Sequence, residues 1–436
     1  MVAIFRFEKV AGKGFFFHVS DSFDPTTAPI LGTYARFPLT LVKGEGARVW
    51  DDGGTSYLDF CAGIAVCSLG HCHPVMVKAI EEQARTLLHV SNLYHTLPAA
   101  HLAQRLTDLV EIPGKTFFAN SGAEANDGLI KLARRFGAHC PNSETGEARS
   151  EIITFNKSFH GRTLGGIAAT GQQKVKEGFD PLLPGFTHIP FNQLTALTDA
   201  ISSSTCAILM EPVQGEGGVN TATPEFLAGV EKLCKEHNLL LLFDEVQCGF
   251  GRLGTMMGWR ALGVPELQPD AISWAKGMGG GIPVGAFWVN DRTVDDAATP
   301  LSSLLGAGSH GSTYGGNPLA AQTSLAVINE IVSADLPANA AAREAQIRET
   351  IASWNHPAIE KVRGKGLMLG IVLKDGAFAV PTGKTPAVHL CNALMQNQLL
   401  VPPAGTDAIR FLPPLNITEQ ETSEALNILK TTLDQL

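Results

Sequence analysis

Leu239-Leu-Leu-Leu-Phe-Asp-Glu-Val-Gln247 is the stretch that sets the fold class. Its apolar residues stand in a row without polar alternation, as in a strand of a parallel sheet covered on both faces. The run ends on an acidic pair. Open α/β sheets bind their ligands beyond the carboxyl ends of the strands, so Asp244 stands at a ligand-binding position. A metal site or a helix cap would also use such a pair. Metal is the weaker alternative, because no His or Cys lies at ligand spacing on the same element.

Working outward, Glu151-Ile-Ile-Thr-Phe155, Cys206-Ala-Ile-Leu-Met210, Ala271-Ile-Ser-Trp274 and Gly285-Ala-Phe-Trp-Val289 repeat the pattern. Helical stretches separate several of them: 224–237 follows Thr223, starts on Pro, and sets Phe226, Leu227, Val230 and Leu233 on one face. The alternation predicts an α/β fold with a mostly parallel sheet over roughly residues 100–325. Further on, 319–332 reads as a helix and 366–373 as a strand, while 42–60 reads as a hairpin. Chains above about 300 residues usually split into domains. The expected division is an N-terminal arm and part of a small domain over 1–70, a large domain over 71–325, and the rest of a small α+β domain over 326–436.

Of the 436 residues 44% are hydrophobic and only 17% charged, which calls for a large core. Lys plus Arg minus Asp plus Glu is 33 − 42 = −9, so no cationic excess exists to neutralise nucleic-acid phosphates or an anionic membrane. Small molecules are the expected partners. No apolar run approaches the roughly 18–20 residues needed to span a bilayer. The eight cysteines form no CxxC pair and sit in apolar contexts, which suits reduced thiols in the cytoplasm. Phe15-Phe16-Phe17 lies in a segment broken by Arg6, Lys9 and Lys13 with no cleavage site after it, so the start reads as an arm.

Chemistry concentrates in three places, the first being Asp244. The second is Asn120-Ser-Gly-Ala-Glu-Ala-Asn126, between strand-like Thr116-Phe-Phe and a helical stretch. Small residues at such a turn leave N–H groups and a helix N-terminus free for a phosphate; the plain alternative is a helix start capped by Ser121 and Glu124. The third is Trp274-Ala-Lys276-Gly-Met-Gly-Gly-Gly281, where one lysine leaves a buried strand. Desolvation would lower its pKa and make a usable nucleophile, although most lysines merely snorkel to the surface. Gly249-Phe-Gly-Arg-Leu-Gly254 matches the dinucleotide fingerprint and makes a nicotinamide-dependent dehydrogenase the rival class. That fingerprint needs glycines turning directly from strand into helix, and here 244–248 intervene.

A phosphate turn, a strand-end aspartate and a desolvated lysine together match the needs of pyridoxal phosphate. The sequence resembles the class III aminotransferases of the fold type I pyridoxal-phosphate enzymes, and within them the acetylornithine aminotransferases. The resemblance covers about residues 41–436. It rests on Gly63-Ile-Ala-Val66, Leu69-Gly-His-Cys-His-Pro74, the 120–126 turn, Phe159-His-Gly-Arg-Thr163, Glu211-Pro-Val-Gln-Gly-Glu-Gly-Gly218, Asp244-Glu-Val-Gln247 and His310-Gly-Ser-Thr-Tyr-Gly-Gly-Asn-Pro318. It implies that Lys276 holds the cofactor covalently and shuttles the substrate proton, and that Asp244 pairs with the pyridinium nitrogen. Phe159 and Val246 would flank the ring, Gln247 would lie near its phenolic oxygen, and Ser121, Gly122 and Ala123 would hold the phosphate. Thr313 would reach that phosphate from the other subunit of a homodimer.

The resemblance further implies that Arg162 clamps a substrate carboxylate. Arg410, in Ile409-Arg-Phe-Leu-Pro-Pro414, and Glu216 would form a switchable pair, closed for an ω-amine and open for glutamate; the bland alternative is an interdomain salt bridge. The implied reaction passes the distal amine of N-acetylornithine to 2-oxoglutarate, giving N-acetylglutamate semialdehyde and glutamate, in arginine biosynthesis. Succinyldiaminopimelate, succinylornithine, ornithine or 4-aminobutyrate as donor, an aminomutase, and the dehydrogenase remain as alternatives. Departures from the family pattern are mild: Leu253 where Thr is usual, and Asp127 where Glu is usual. His71, His73, His89, His95 and His101 crowd one stretch without a usual zinc spacing. His71 and His73 read as parts of a glycine-proline turn, the others as helix-face residues, and no metal is expected.

Overall fold

The computed structural model describes residues 6–8, 16–18 and 25–436. Its central sheet uses, in chain order, β1 (Gly114–Ala119), β2 (Glu151–Phe155), β3 (Phe186–Ile189), β4 (Thr205–Met210), β5 (Leu240–Asp244), β6 (Ala271–Trp274) and β7 (Gly285–Asn290). Their spatial order is β1-β7-β6-β5-β4-β2-β3. All neighbours run parallel except β7, which is antiparallel to both β6 and β1. Only residues 275–284 separate β6 from β7, too short a link for a parallel crossover, which takes about a dozen residues or more.

The apolar runs lack alternation because both faces of the sheet are covered. Leu241, Phe243, Ile272 and Trp274 point into one core. Leu240, Leu242 and Ala271 point into the other, against Leu129, Leu132 and Phe136 of the helix Gly122–His139. Asp244 and Ser273 follow the parity of this second face, which aims both at that helix.

The two ends of the chain meet beside this sheet. Leu399–Leu400 pairs in parallel with Ser56–Asp59, so N-terminal and C-terminal segments share one four-stranded sheet. A second sheet of four strands includes Ile359–Lys365, Met368–Leu373 and Ala408–Phe411. The expected single hairpin over 42–60 is a three-strand meander of Leu41–Glu45, Arg48–Asp51 and Ser56–Asp59, because Gly53-Gly54 makes a second turn after Gly46. In the expected arm Arg6–Glu8 pairs with Phe16–His18; most of the rest, residues 1–5, 9–15 and 19–24, lies outside the described residues. Among the described residues no helix is long and apolar enough to cross a membrane.

Candidate active site

Asp244 ends β5 buried, at 3% exposure. Its Oδ2 accepts from Asn126 Nδ2 at 2.7 Å and pairs with His160 Nδ1 at 2.8 Å, while Oδ1 accepts from the Val246 N–H at 3.0 Å. A carboxylate offers about four lone-pair directions, so one remains for a ligand donor. The other member of the acidic pair behaves differently. Glu245 accepts from the N–H groups of Gly258 and Trp259 at 2.9 and 2.6 Å, capping the short 3-10 turn Gly258–Leu262, and burial pushes its carboxyl up to about 7. The cap alternative for an acidic pair therefore holds for Glu245, and the ligand alternative fits Asp244.

Lys276 follows β6 by two residues, with φ +42°. That left-handed conformation is uncommon outside glycine and, where it occurs, tends to mark functional positions. Burial pushes the Lys276 ammonium down from its ordinary range, against the pull of nearby Glu216. The amine faces a cavity of about 220 Å³ lined also by Gly122, Ala123, Asn126, Phe159, His160, Arg162, Glu211, Glu216, Asp244, Val246 and Gln247.

The 120–126 turn is a capped helix start, one of the two readings its sequence allows. Ser121 is the N-cap of Gly122–His139, and its hydroxyl accepts from the Glu124 N–H at 3.2 Å. Glu124 reaches back to the Asn120 N–H at 2.9 Å, one residue before the N-cap of a true capping box. Ser121 itself is not among the cavity-lining residues, whereas Gly122 and Ala123 are. The N–H groups of Gly122 and Ala123 belong to the first turn, where no intrahelical acceptor exists. A Cβ on Gly122 would stand 2.6 Å from Val246 Cγ1, so only glycine lets helix start and strand-end loop close this tightly.

Arg410 is 2% exposed and binds Glu216 with both amino groups, Nη1 at 2.7 Å and Nη2 at 3.2 Å. Its Nη1 also reaches Gln247 Oε1 at 3.3 Å. Burial alone would raise Glu216, but the charge and hydrogen bonds of Arg410 outweigh it and hold the carboxyl below its usual range. Arg162 is exposed at the cavity mouth, 5.6 Å from the Phe159 ring centroid. Thr313 is apart from this cavity: exposed, it lines a separate cleft with His89, Asn92 and Tyr94.

Several residues of the site carry no individual signal in the sequence. Asn126, His160 and Glu211 sit inside quoted motifs, and Ser273 inside a strand, but their roles depend on contacts across 34–147 positions of chain. Glu211 accepts from the Phe159 N–H at 3.1 Å, and burial followed by the neighbouring Asp244 holds its carboxyl well above its usual range. The Gly249–Gly254 decoy forms turns followed only by the short 3-10 segment Gly258–Leu262, so no helix N-terminus is there to receive a dinucleotide. His89 and His95 lie in loops rather than on helix faces, because the helix ends at Thr86 and the next begins at Leu97. Among the described residues no group of three or more His, Cys, Asp or Glu could hold a metal ion.

Pyridoxal phosphate fits these groups. The free acceptor of Asp244 suits a ring N–H, the helix start suits a phosphate, Phe159 and Val246 offer side chains to a ring, and Lys276 offers an amine with a depressed pKa. On a mainly parallel sheet of this order, such a site defines a pyridoxal-phosphate enzyme of fold type I. Residues 32–433 match the family described as "Aminotransferase class-III", and the chain belongs to this pyridoxal-phosphate-dependent aminotransferase family. It is 43% identical over 411 residues to the acetylornithine aminotransferase of Caldanaerobacter subterraneus subsp. tengcongensis, covering 93% of this chain and 98% of the relative. The crystal structure of N-acetylornithine aminotransferase from Stenotrophomonas maltophilia K279a is similar at TM-score 0.76 and 35% identity, covering 92% of this chain and 97% of that one. Ornithine aminotransferase from Toxoplasma gondii ME49 gives TM-score 0.84 at 28% identity, with 93% of each chain covered.

Proposed function

We propose that the enzyme transfers the distal amino group of N-acetylornithine to 2-oxoglutarate, forming N-acetylglutamate semialdehyde and glutamate in arginine biosynthesis. The observation that carries this reading is the closed Arg410–Glu216 pair at the cavity. An ω-amine presents a plain CH₂ at the reacting carbon, and a neutralised arginine suits it. Glutamate presents a carboxylate there instead, which takes Arg410 once Glu216 swings away. Arg162 receives the substrate carboxylate common to both partners, a task suited to a planar guanidinium. Pyridoxal phosphate, when bound, supplies an aldehyde that takes up the amine and a ring that accepts the electrons left on carbon. Lys276 moves the proton at that carbon, and Asp244 keeps a negative charge beside the ring nitrogen.

A homodimer completes the site in this reading, with Thr313 lent to the partner. Leu31, Leu93, Tyr94 and Leu97 are 70–84% exposed, an unusual cost for large apolar residues in a lone subunit. Eight free thiols support a cytoplasmic setting. The division at 70/71 and 325/326 belongs to the same reading, with the second boundary falling inside the continuous helix Pro318–Ser333.

The test compares kcat/KM with 2-oxoglutarate for N-acetylornithine, succinyldiaminopimelate, succinylornithine, ornithine and 4-aminobutyrate; N-acetylornithine is expected to lead. Half-reactions then test the pair. Arg162→Ala should weaken both half-reactions to a similar degree, since the carboxylate it receives is common to both partners. Arg410→Ala should impair the glutamate half far more than the N-acetylornithine half. Equal losses for Arg410→Ala would leave the pair a plain salt bridge.

A further inference from the structure

We infer that Ser273 is a positioning residue for Asp244, acting through the side-chain amide of Asn126. The inference rests on the family's use of pyridoxal phosphate and not on which amine is the donor. Asp244 and Ser273 are register partners on adjacent parallel strands, and both side chains face the helix that carries Asn126. The Ser273 hydroxyl donates to Asn126 Oδ1 at 2.6 Å. Asn126 Nδ2 donates in turn to Asp244 Oδ2 at 2.7 Å and to the His160 carbonyl at 2.9 Å. Ser273, Asn126 and Asp244 are 0, 2 and 3% exposed, so these bonds are shielded from bulk water.

The hydrogen-bond inventory allows one orientation of the amide. With Asn126 reversed, its oxygen would face the Asp244 carboxylate and the His160 carbonyl, and repulsion from both would push the side chain away. In the observed orientation Oδ1 points at Ser273, whose hydroxyl is its one hydrogen-bond donor among the described contacts. Removing that hydroxyl leaves a buried acceptor unpaired and gives Asn126 a reason to move.

Movement of Asn126 changes the charge balance of Asp244. Donors to a carboxylate favour its ionised form. Asp244 has three: Asn126, His160 and the Val246 N–H. Facing it are Glu211, which disfavours a second negative charge, and Lys276, whose field favours one. With the amide gone, Asp244 keeps only two of its three donors and is held less firmly toward the position of a ring nitrogen, which would weaken its support of the ring as an electron acceptor.

The holoenzyme provides the test. For Ser273→Ala the pH at which the bound cofactor's absorption changes should move by about half a unit or more, since the lost donor acts on the group facing the ring. Affinity of the apoprotein for pyridoxal phosphate should fall several-fold, and kcat should fall about tenfold with KM within about twofold. Ser273→Thr, which restores a hydroxyl, should return all three toward wild type. Ser273→Cys, a weaker donor of similar shape, serves the same comparison if the alanine variant does not yield soluble protein. In an Asn126→Ala background, Ser273→Ala should have little further effect, because both act on one chain of bonds. Additive effects in the double variant, or an unchanged titration and affinity in Ser273→Ala, would overturn the inference. A donor panel favouring another amine leaves these cofactor readouts untouched.

Discussion

Two influences on Lys276 oppose each other. In the proposed reaction it acts as an uncharged amine, and burial disfavours its ammonium, whereas the nearby carboxylate of Glu216 pulls the other way. Lys276→Ala should abolish turnover yet still take up pyridoxal phosphate, because Asp244 and the helix start do not depend on it. Borohydride reduction of the wild-type holoenzyme should fix the cofactor to the peptide containing Lys276, and label on any other lysine would refute the assignment. His71 shows the same logic applied to stability. Its Nε2 lies 2.8 Å from Asp59 Oδ2, and hydrogen bonding of the protonated ring to Asp59 and then to Cys67 raises its pKa from 6.5 to about 10. A pKa raised in the folded state contributes stability that is complete below 6.5 and lost as pH rises through about 10. The melting temperature should therefore decline over this interval, and His71→Asn should flatten the decline. An equal slope in the variant would assign the pH dependence to other groups.

At the level of elements, the proposed phosphate turn at 120–126 depends on close approach more than on any polar side chain. Gly122→Ala would press a methyl group against Val246, and overpacking of this kind costs about 1–3 kcal/mol. Affinity should drop more for pyridoxal phosphate than for pyridoxal, which lacks the phosphate; titration of the apoprotein with each compares them. Equal losses for the two ligands would place the disturbance at the ring. The two readings of this turn explain what could be read from sequence. Ser121 and Glu124 look like a helix start and are one, while the phosphate reading needed the motif around them, since an N-cap and an anion site use the same residue types. The central strands were legible because both faces are apolar, and β5 shows this in one run of letters. β3 escaped because Phe186-Thr-His-Ile189 is short, polar in part and at the sheet edge. The Asp244 supports escaped for another reason: Asn126, His160 and Ser273 come from three separate elements, and no periodicity reports a meeting of that kind.

Across the whole molecule, the cavity holds Lys276, Asp244 and Arg162, while Thr313 opens onto a different cleft of the same chain. The loop carrying Thr313 is tied to the exposed 87–97 stretch, since Asn92 Nδ2 donates to the carbonyls of Ser312 and Gly315, each at 3.0 Å. A second copy docked on this apolar region brings that loop to the other subunit's cavity in the proposed dimer. Hybrid dimers separate this arrangement from one in which each subunit serves itself. Lys276→Ala homodimers should be inactive, and Thr313→Val homodimers should bind pyridoxal phosphate weakly. In a hybrid of the two, one site combines an intact Lys276 with a Thr313 from the other subunit, while its counterpart lacks both. If Thr313 acts across the interface, mixing and reassociating the variants at low pyridoxal phosphate should create activity of about half a wild-type dimer's per hybrid, as expected for one complete site of two. If Thr313 serves its own subunit, every hybrid site has one defect and mixing should yield no more activity than the two variants contribute separately. Sedimentation of the mixture establishes that hybrids have formed, so absence of activity in confirmed hybrids would remove Thr313 from the neighbouring site.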